Sequence, residues 1–209
     1  MKRSYASGAR WYDLFSGEPF YRKGRTVGVE LLTLGTGDVV LDLGCGTGLN
    51  FALLVNAVGP TGRVVALDRS ADMLRVAAKR VRHHGWTNVE LVRADATTFE
   101  PGDIGRPAVD VPAVDALIAT YTMSIMADPH VAWRNARSVL RRGGRACIVD
   151  MQRPTGWARA FTPLALAACA LGGSDIDAHP WRFAEQEGSE VSRRSLRGGH
   201  IQIVAATVH

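Results

Sequence analysis

From residue 39 onward, apolar runs of five to seven residues alternate with longer stretches whose apolar positions recur every three or four residues. The runs suit strands buried on both faces and the longer stretches suit amphipathic helices, so the pattern predicts βαβ units and a parallel sheet. Strands are expected at 39–43, 63–68, 89–95, 114–120 and 145–151. The first helix is expected over 49–58, with Gly59 and Pro60 breaking the chain behind it. In the second, over 71–84, Leu74, Ala77, Ala78 and Val81 share one face, Ser70 caps the start, and Asp72 and the terminal basic residues suit the helix dipole. Asp128 and Pro129 open a third helix over 130–142, which Gly143 and Gly144 end.

Three stretches break this rhythm. Residues 100–113 hold three prolines and two glycines and read as a loop. Residues 156–171 are strongly apolar but contain Pro163 and are too short to span a bilayer as a helix, so a core or cleft-lining helix is expected. The stretches 189–196 and 200–208, separated by Gly198 and Gly199, predict an antiparallel hairpin at the sheet edge.

Composition narrows the class. A chain of 209 residues that is 46% hydrophobic and 22% charged can build one full core and is not disordered. The net charge of +5 permits contact with nucleic acid or anionic lipid, but the arginines are dispersed and read chiefly as a solvated surface. The basic N-terminus has no apolar stretch behind it, so no secretory signal is expected and a cytoplasmic location follows, with peripheral membrane contact left open. Cys45, Cys147 and Cys169 are odd in number and far apart, which suggests neither a disulfide framework nor a metal site.

The candidate chemistry lies in "VVLDLGCGTGLN", residues 39–50, where a strand runs into glycines at 44, 46 and 48. Such a turn lets backbone N–H groups approach a ligand closely. Two cofactor classes use a strand, a glycine turn, a helix and an acidic residue closing the next strand, here Asp68. A dinucleotide site needs G-x-G-x-x-G, whereas this spacing is G-x-G-x-G with Asp42 two positions before the first glycine. A carboxylate there repels pyrophosphate and attracts a cation.

"LDLGCGTG", Asp68, Asp95 and the strand "VDALIATYTM" resemble the motifs of class I S-adenosylmethionine-dependent methyltransferases. The resemblance implies a Rossmann-like α/β fold: seven strands, mostly parallel, an antiparallel C-terminal hairpin, and helices on both faces. It implies an N-terminal helical cap over 1–37, a cofactor-binding core over 38–151, and substrate-side helices with the hairpin over 152–209 of the same domain. It further implies that Asp42 and the backbone of Gly44, Cys45, Gly46, Thr47 and Gly48 face the methionine part of S-adenosyl-L-methionine. Asp68 would hold the ribose hydroxyls, Asp95 flanked by Ala94 and Ala96 the adenine amino group, and Arg69 and Met73 the adenine face. Thr120 and Tyr121 would lie near the sulfonium and the acceptor.

The stretch around Tyr12 and Asp13 and the segment "YTMSIMADP" are similar to bacterial phosphatidylethanolamine N-methyltransferases, and the N-terminus also to quinone C-methyltransferases. Both point to a small-molecule or lipid-like acceptor, with Tyr12, Tyr121 and His179 as substrate-side candidates. In-line transfer from an activated sulfonium needs alignment first and a base only where the nucleophile must lose a proton. No base stands out: His83, His84 and His130 sit at helix ends and read as surface histidines. Competing readings keep the cofactor but change the outcome: a nucleic-acid methyltransferase, an aminocarboxypropyl transferase, or a non-catalytic cofactor-binding protein. "ATYTM" in place of a polar-Pro-Pro-aromatic motif argues against the first. The chain alone defines neither the acceptor atom nor the oligomeric state.

Overall fold

Seven strands form one sheet in the order β3-β2-β1-β4-β5-β7-β6 in the computed structural model, which describes residues 18–104 and 114–209. The strands are β1 Val39–Leu43, β2 Arg63–Asp68, β3 Val89–Arg93, β4 Val114–Thr120, β5 Leu140–Met151, β6 Gly188–Leu196 and β7 Ile201–Val208. The first five pair in parallel, and β7 inserts antiparallel between β5 and the edge strand β6. The helices are α1 Glu18–Leu32, α2 Phe51–Val58, α3 Ala71–His84, α4 Pro129–Ser138, α5 Thr162–Gly172 and α6 Arg182–Glu187.

Alternation along each strand builds two cores. Leu41, Leu43, Leu117 and Ile148 face one side, where Trp133 of α4 and Phe183 and Ala184 of α6 pack. Val40, Ile118, Val149 and Ile203 face the other, against Val29 and Leu32 of α1, Phe51 and Leu54 of α2 and Ala77 of α3. Covering both faces explains why the parallel strands read as continuous apolar runs. It also places Asp42, one residue beyond Leu41, on the α1 and α2 side.

Several boundaries differ from those expected. The helix after the glycine turn begins at Phe51 and not at Leu49, because Thr47 to Asn50 are still turning. Strand β3 ends at Arg93, two residues before Asp95, since the Asp95 carboxylate accepts from the N–H and hydroxyl of Thr97 and folds the chain into a turn. Helix α4 stops at Ser138, and Gly143 and Gly144 lie inside β5 where its pairing with β4 shifts register. Gly143 takes φ +72° there, so the pair serves a bulge and not a helix stop. Residues 101–104 of the proline-rich loop form a 3-10 turn, and the rest of that loop lies outside the described residues.

The largest departure is residues 156–171. They form a 3-10 turn, Gly156–Phe161, followed by α5, but among the side chains described only Ala158, Ala165 and Cys169 are buried there while Trp157, Phe161 and Leu164 face outward. The apolar density that suggests a core helix therefore belongs mostly to the surface.

Phe51 is fully buried under the glycine turn, with its ring where a Cβ on Gly48 would lie. Phe51→Ala is expected to lower stability by about 3–5 kcal/mol in urea denaturation, whereas Phe161→Ala, half exposed, should stay within about 0.5 kcal/mol.

Candidate functional site

The strand order reverses between β1 and β4, and the carboxyl ends of those strands open the crevice where α/β sheets bind ligands. There Gly44, Gly46 and Gly48 all have positive φ, the left-handed backbone that favours glycine. A Cβ on Gly44 would lie 2.1 Å from the Thr122 hydroxyl, so the absent side chain lets the β4 loop close on the turn. A Cβ on Gly46 would meet nothing within 4 Å. That position faces open space.

Asp68, at the end of β2, pins the turn. One carboxylate oxygen accepts from the Gly46 N–H at 2.9 Å and the other from the Ser70 N–H at 2.8 Å. Burial raises its pKa against those two bonds. Each oxygen retains a lone pair for a further donor.

Asp42 is fully buried, and burial pushes its pKa up to about 7 against the Asn50 hydrogen bond and the Arg25 charge, both of which favour the ionised form. Asn50 bridges, donating to Asp42 Oδ1 at 2.9 Å and to the Thr120 hydroxyl at 3.0 Å. Asp42 Oδ2 and Asn50 Oδ1 are buried and accept no hydrogen bond. Two orphaned acceptors beside a glycine turn cost stability unless a donor meets them. A cationic N–H donor satisfies both, so this pair fits a ligand ammonium.

A cleft runs from Gly44 and Asp68 past Arg69 to Ala94, Asp95 and Ala96, with Thr122, Ile125 and Met126 as its opposite wall. Asp95 is held ionised chiefly by its Thr97 bonds and lies 3.9 Å from the Arg69 guanidinium. Met73 is buried in the first turn of α3, its N–H donating to the Ser70 capping oxygen. Cys45 is buried with its thiol pKa pushed well up by burial, and its N–H donates to the Leu67 carbonyl. Thr47 is buried, and its carbonyl accepts from Arg80 of α3.

Beyond β4, Tyr121 takes φ +55°, an unusual backbone for a bulky residue. Its hydroxyl donates to the Tyr21 carbonyl at 2.9 Å, and its ring lies 5.0 Å from the Tyr21 ring and 5.5 Å from the Arg25 guanidinium. Burial raises the pKa of both tyrosines, Tyr21 to about 12. His200 is also buried; its Nδ1 lies 2.7 Å from the Gln152 carbonyl, which only accepts, so Nδ1 carries the proton and Nε2 accepts from the Tyr21 hydroxyl at 3.3 Å. Met151, Ala165, Cys169 and Ile176 form a small buried apolar cluster that packs against the two tyrosines. Asp150 braces the neighbouring turn: both its oxygens accept from Ser124, and burial lifts its pKa to about 6.

Sequence comparison now decides the family. Residues 34–174 match the methyltransferase domain model. The chain belongs to the methyltransferase domain family. Among curated relatives, it is 31% identical over 176 residues to the ubiquinone/menaquinone biosynthesis C-methyltransferase of Pseudomonas savastanoi, covering 82% of this chain and 65% of that one. It is 29% identical over 146 residues to the arsenite methyltransferase of Halobacterium salinarum, covering 69% of this chain and 35% of that one. The chain thus spans from about a third to just under two thirds of these relatives' length. A crystal structure of a SAM-dependent methyltransferase from Aquifex aeolicus aligns over the whole of both chains with TM-score 0.69 at 20% identity, a likeness of fold.

In this methyltransferase domain Gly44, Asp68, Arg69 and the segment 94–96 line one cleft, while Asp42 is buried and joined through Asn50 to Thr120, and Tyr121 is tied to Tyr21. His179 stands apart from Tyr121, in the loop after α5, where its ring packs 5.1 Å from Trp181. Tyr12 lies outside the described residues. Arg25, Asn50, Thr122, Tyr21 and His200 join the site without standing out in the sequence. Asn50 is the exception in principle, as a polar residue in an apolar helix start; Arg25 has the same composition as its water-facing neighbours Arg22 and Lys23.

Gly44→Ala and Gly46→Ala should separate the two roles of the turn. Both incur about 1–2 kcal/mol for a left-handed alanine. Gly44→Ala alone also collides with Thr122, so denaturation should show it clearly less stable than Gly46→Ala.

Proposed function

We propose that this protein transfers a methyl group from S-adenosylmethionine to a small, largely apolar acceptor seated against Tyr21 and Tyr121. The observation that carries the reading is the buried pair of unsatisfied acceptors, Asp42 Oδ2 and Asn50 Oδ1, behind a glycine turn with no side chain at position 46. A methionine ammonium is a donor of the right charge for that pair. Asp68, with one lone pair left on each oxygen, suits two ribose hydroxyls, and the cleft between Asp95 and Ile125 suits a flat heteroaromatic ring.

Bound there, S-adenosylmethionine supplies a methyl already activated by a sulfonium. What the chain adds is alignment. Thr120, held by Asn50, and Tyr121, held by the Tyr21 carbonyl, are the fixed groups at the end of β4, between the glycine turn and the apolar cluster around Tyr21. Rigid placement of this kind lowers the barrier through proximity and orientation. The aromatic and apolar lining of Tyr21, Met151 and Cys169 favours an acceptor with a ring or alkyl body, a preference in keeping with the quinone-methylating relative. The arsenite relative gives less guidance, since Cys45, Cys147 and Cys169 lie in the glycine turn, β5 and α5 respectively and burial raises all three thiols. A methylated product, and not an aminocarboxypropyl adduct, is expected by mass spectrometry of extracts incubated with labelled cofactor.

Calorimetry should show binding of S-adenosylmethionine and S-adenosylhomocysteine; binding of NAD with neither of these would overturn the reading. The pH dependence is specific. A cationic ligand favours ionised Asp42, whose pKa in the free protein is about 7, so binding releases a proton below that pH. Affinity should therefore fall about tenfold per pH unit as pH drops below 7, and level off above it. Heats measured in buffers of different ionisation enthalpy report the proton directly, and Asp42→Asn should abolish the effect.

Asp68→Ala removes the proposed ribose partner as well as the clamp on Gly46. Cofactor affinity should fall by about 1.5–3 kcal/mol, the range for hydrogen bonds to a charged group, in the same calorimetric assay.

A further inference from the structure

Residues 162–173 contain no charged side chain, yet α5 is the most exposed apolar element described. Leu164 is 69% exposed, and in the preceding turn Trp157 and Phe161 are 82% and 55% exposed, their rings meeting edge-on at 6.1 Å. Ala165 and Cys169 face inward; Leu164, Leu166 and the alanines 167, 168 and 170 face out. Elsewhere the chain keeps the usual rule: α3 turns Arg75, Lys79 and Arg82 away from its buried Met73 and Ala77. A helix apolar all round belongs in an apolar surrounding. Isolated exposed apolar residues need no explanation, but contiguous ones mark an interaction surface.

The charge around this surface has one sign where it meets the hairpin. Arg159 sits between Trp157 and Phe161, and Arg197 lies over the half-exposed Phe20 ring at 4.7 Å. The hairpin turn carrying Arg197 is fastened to the same segment, since the Thr155 N–H donates to the Gly198 carbonyl at 2.8 Å and Gly198 packs on Ala158. Neither Arg159 nor Arg197 has a carboxylate within ion-pair distance among the described residues. At the far end Arg153 and Asp177 satisfy each other through two hydrogen bonds. Trp, Phe and Leu projecting beside unpaired arginines are the composition of elements that lie in a membrane interface, with the arginine heads reaching anionic headgroups. A protein partner would ask for about one hydrogen bond per 100–200 Å² of interface, and beyond the half-buried Thr162 at its start the described outward face of α5 offers no side-chain donor or acceptor, whereas acyl chains require none.

We propose that Trp157, Phe161 and Leu164, rimmed by Arg159 and Arg197, dock this protein on the surface of an anionic lipid bilayer. Resting on the function proposed above, the docking has a consequence for the acceptor. The inward face of the same helix, Ala165 and Cys169, packs with Met151 against Tyr21 and Tyr121, so one element joins the bilayer to the two tyrosines proposed to seat the acceptor. A lipid-soluble acceptor then enters from the membrane without crossing water.

The experiment is co-sedimentation of the full chain with vesicles of phosphatidylcholine alone or with phosphatidylglycerol. Binding is expected to the anionic vesicles and to weaken with salt. The triple substitution W157S/F161S/L164S should lower the vesicle partition coefficient at least tenfold while leaving thermal unfolding and S-adenosylmethionine affinity unchanged, and R159E should steepen the loss on anionic vesicles only. No binding by the wild-type chain, or equal binding by the triple variant, overturns the proposal. So does a dimer in analytical ultracentrifugation that the triple variant disperses while vesicles remain unbound, which would make this face a contact between copies. Vesicle binding in a chain that binds no S-adenosylmethionine would sustain the docking surface and overturn the methyl-transfer reading instead.

Discussion

The ionisation of one buried carboxylate organises the site. Asp42 lies on a strand whose other side chains are all apolar or covered, and burial alone would hold it neutral far above the usual carboxylate range. Two features pull the other way: the Asn50 amide on one oxygen and the Arg25 charge from α1. The balance leaves its pKa near neutrality with one oxygen unsatisfied. Such an arrangement is poor for folding and good for binding, because a cation that completes it recovers the missing hydrogen bond and the suppressed charge together. The surrounding sheet tolerates the cost because both of its faces are covered by large apolar clusters.

Helix α1 links that carboxylate to the acceptor side. The Arg25 charge acts on Asp42 and its guanidinium lies over the Tyr121 ring, while one turn earlier the Tyr21 carbonyl accepts from the Tyr121 hydroxyl and the Tyr21 hydroxyl meets His200. Gly24 allows the approach, since a Cβ there would lie 2.0 Å from the Tyr121 oxygen. The strained backbone of Tyr121 is thus held from α1 through its side chain and from β5 through its N–H, which donates to the Val149 carbonyl. The end of β4 thus takes its position from α1 as well as from the sheet.

How much of this was legible in the chain depended on whether local chemistry or long-range packing decided the point. Strand periodicity, the caps at Ser70 and Asp128 and the glycine turn are local, and the structure shows them where the sequence places them. The early end of β3 and the bulge at Gly143 depend on a side-chain turn and on register with β4, which no periodicity reports. Tyr21 and His200 come together across 179 residues of chain and, like Arg25, carry no motif. Asp42, inside β1, Asp68, closing β2, and Asp95, two residues after β3, stand out as candidates because a carboxylate in or beside a buried strand has few structural reasons to be there.

The segment 156–171 shows where a hydrophobic pattern misleads. Apolar density measures the cost of contact with water, and a core is one of two ways to avoid that cost. A core helix needs apolar partners on all sides, but α5 finds them only for Ala165 and Cys169, against Met151 and Ile176. The sheet faces nearby are already covered by α1 on one side and α6 on the other, so the described residues offer it no further apolar surface. What remains exposed shares a helix with the residues that pack on Tyr21 and Tyr121. A helix that answers only to its own packing would carry polar residues on its outer face, as α3 does; the apolar outer face of α5 is what the proposed bilayer contact explains.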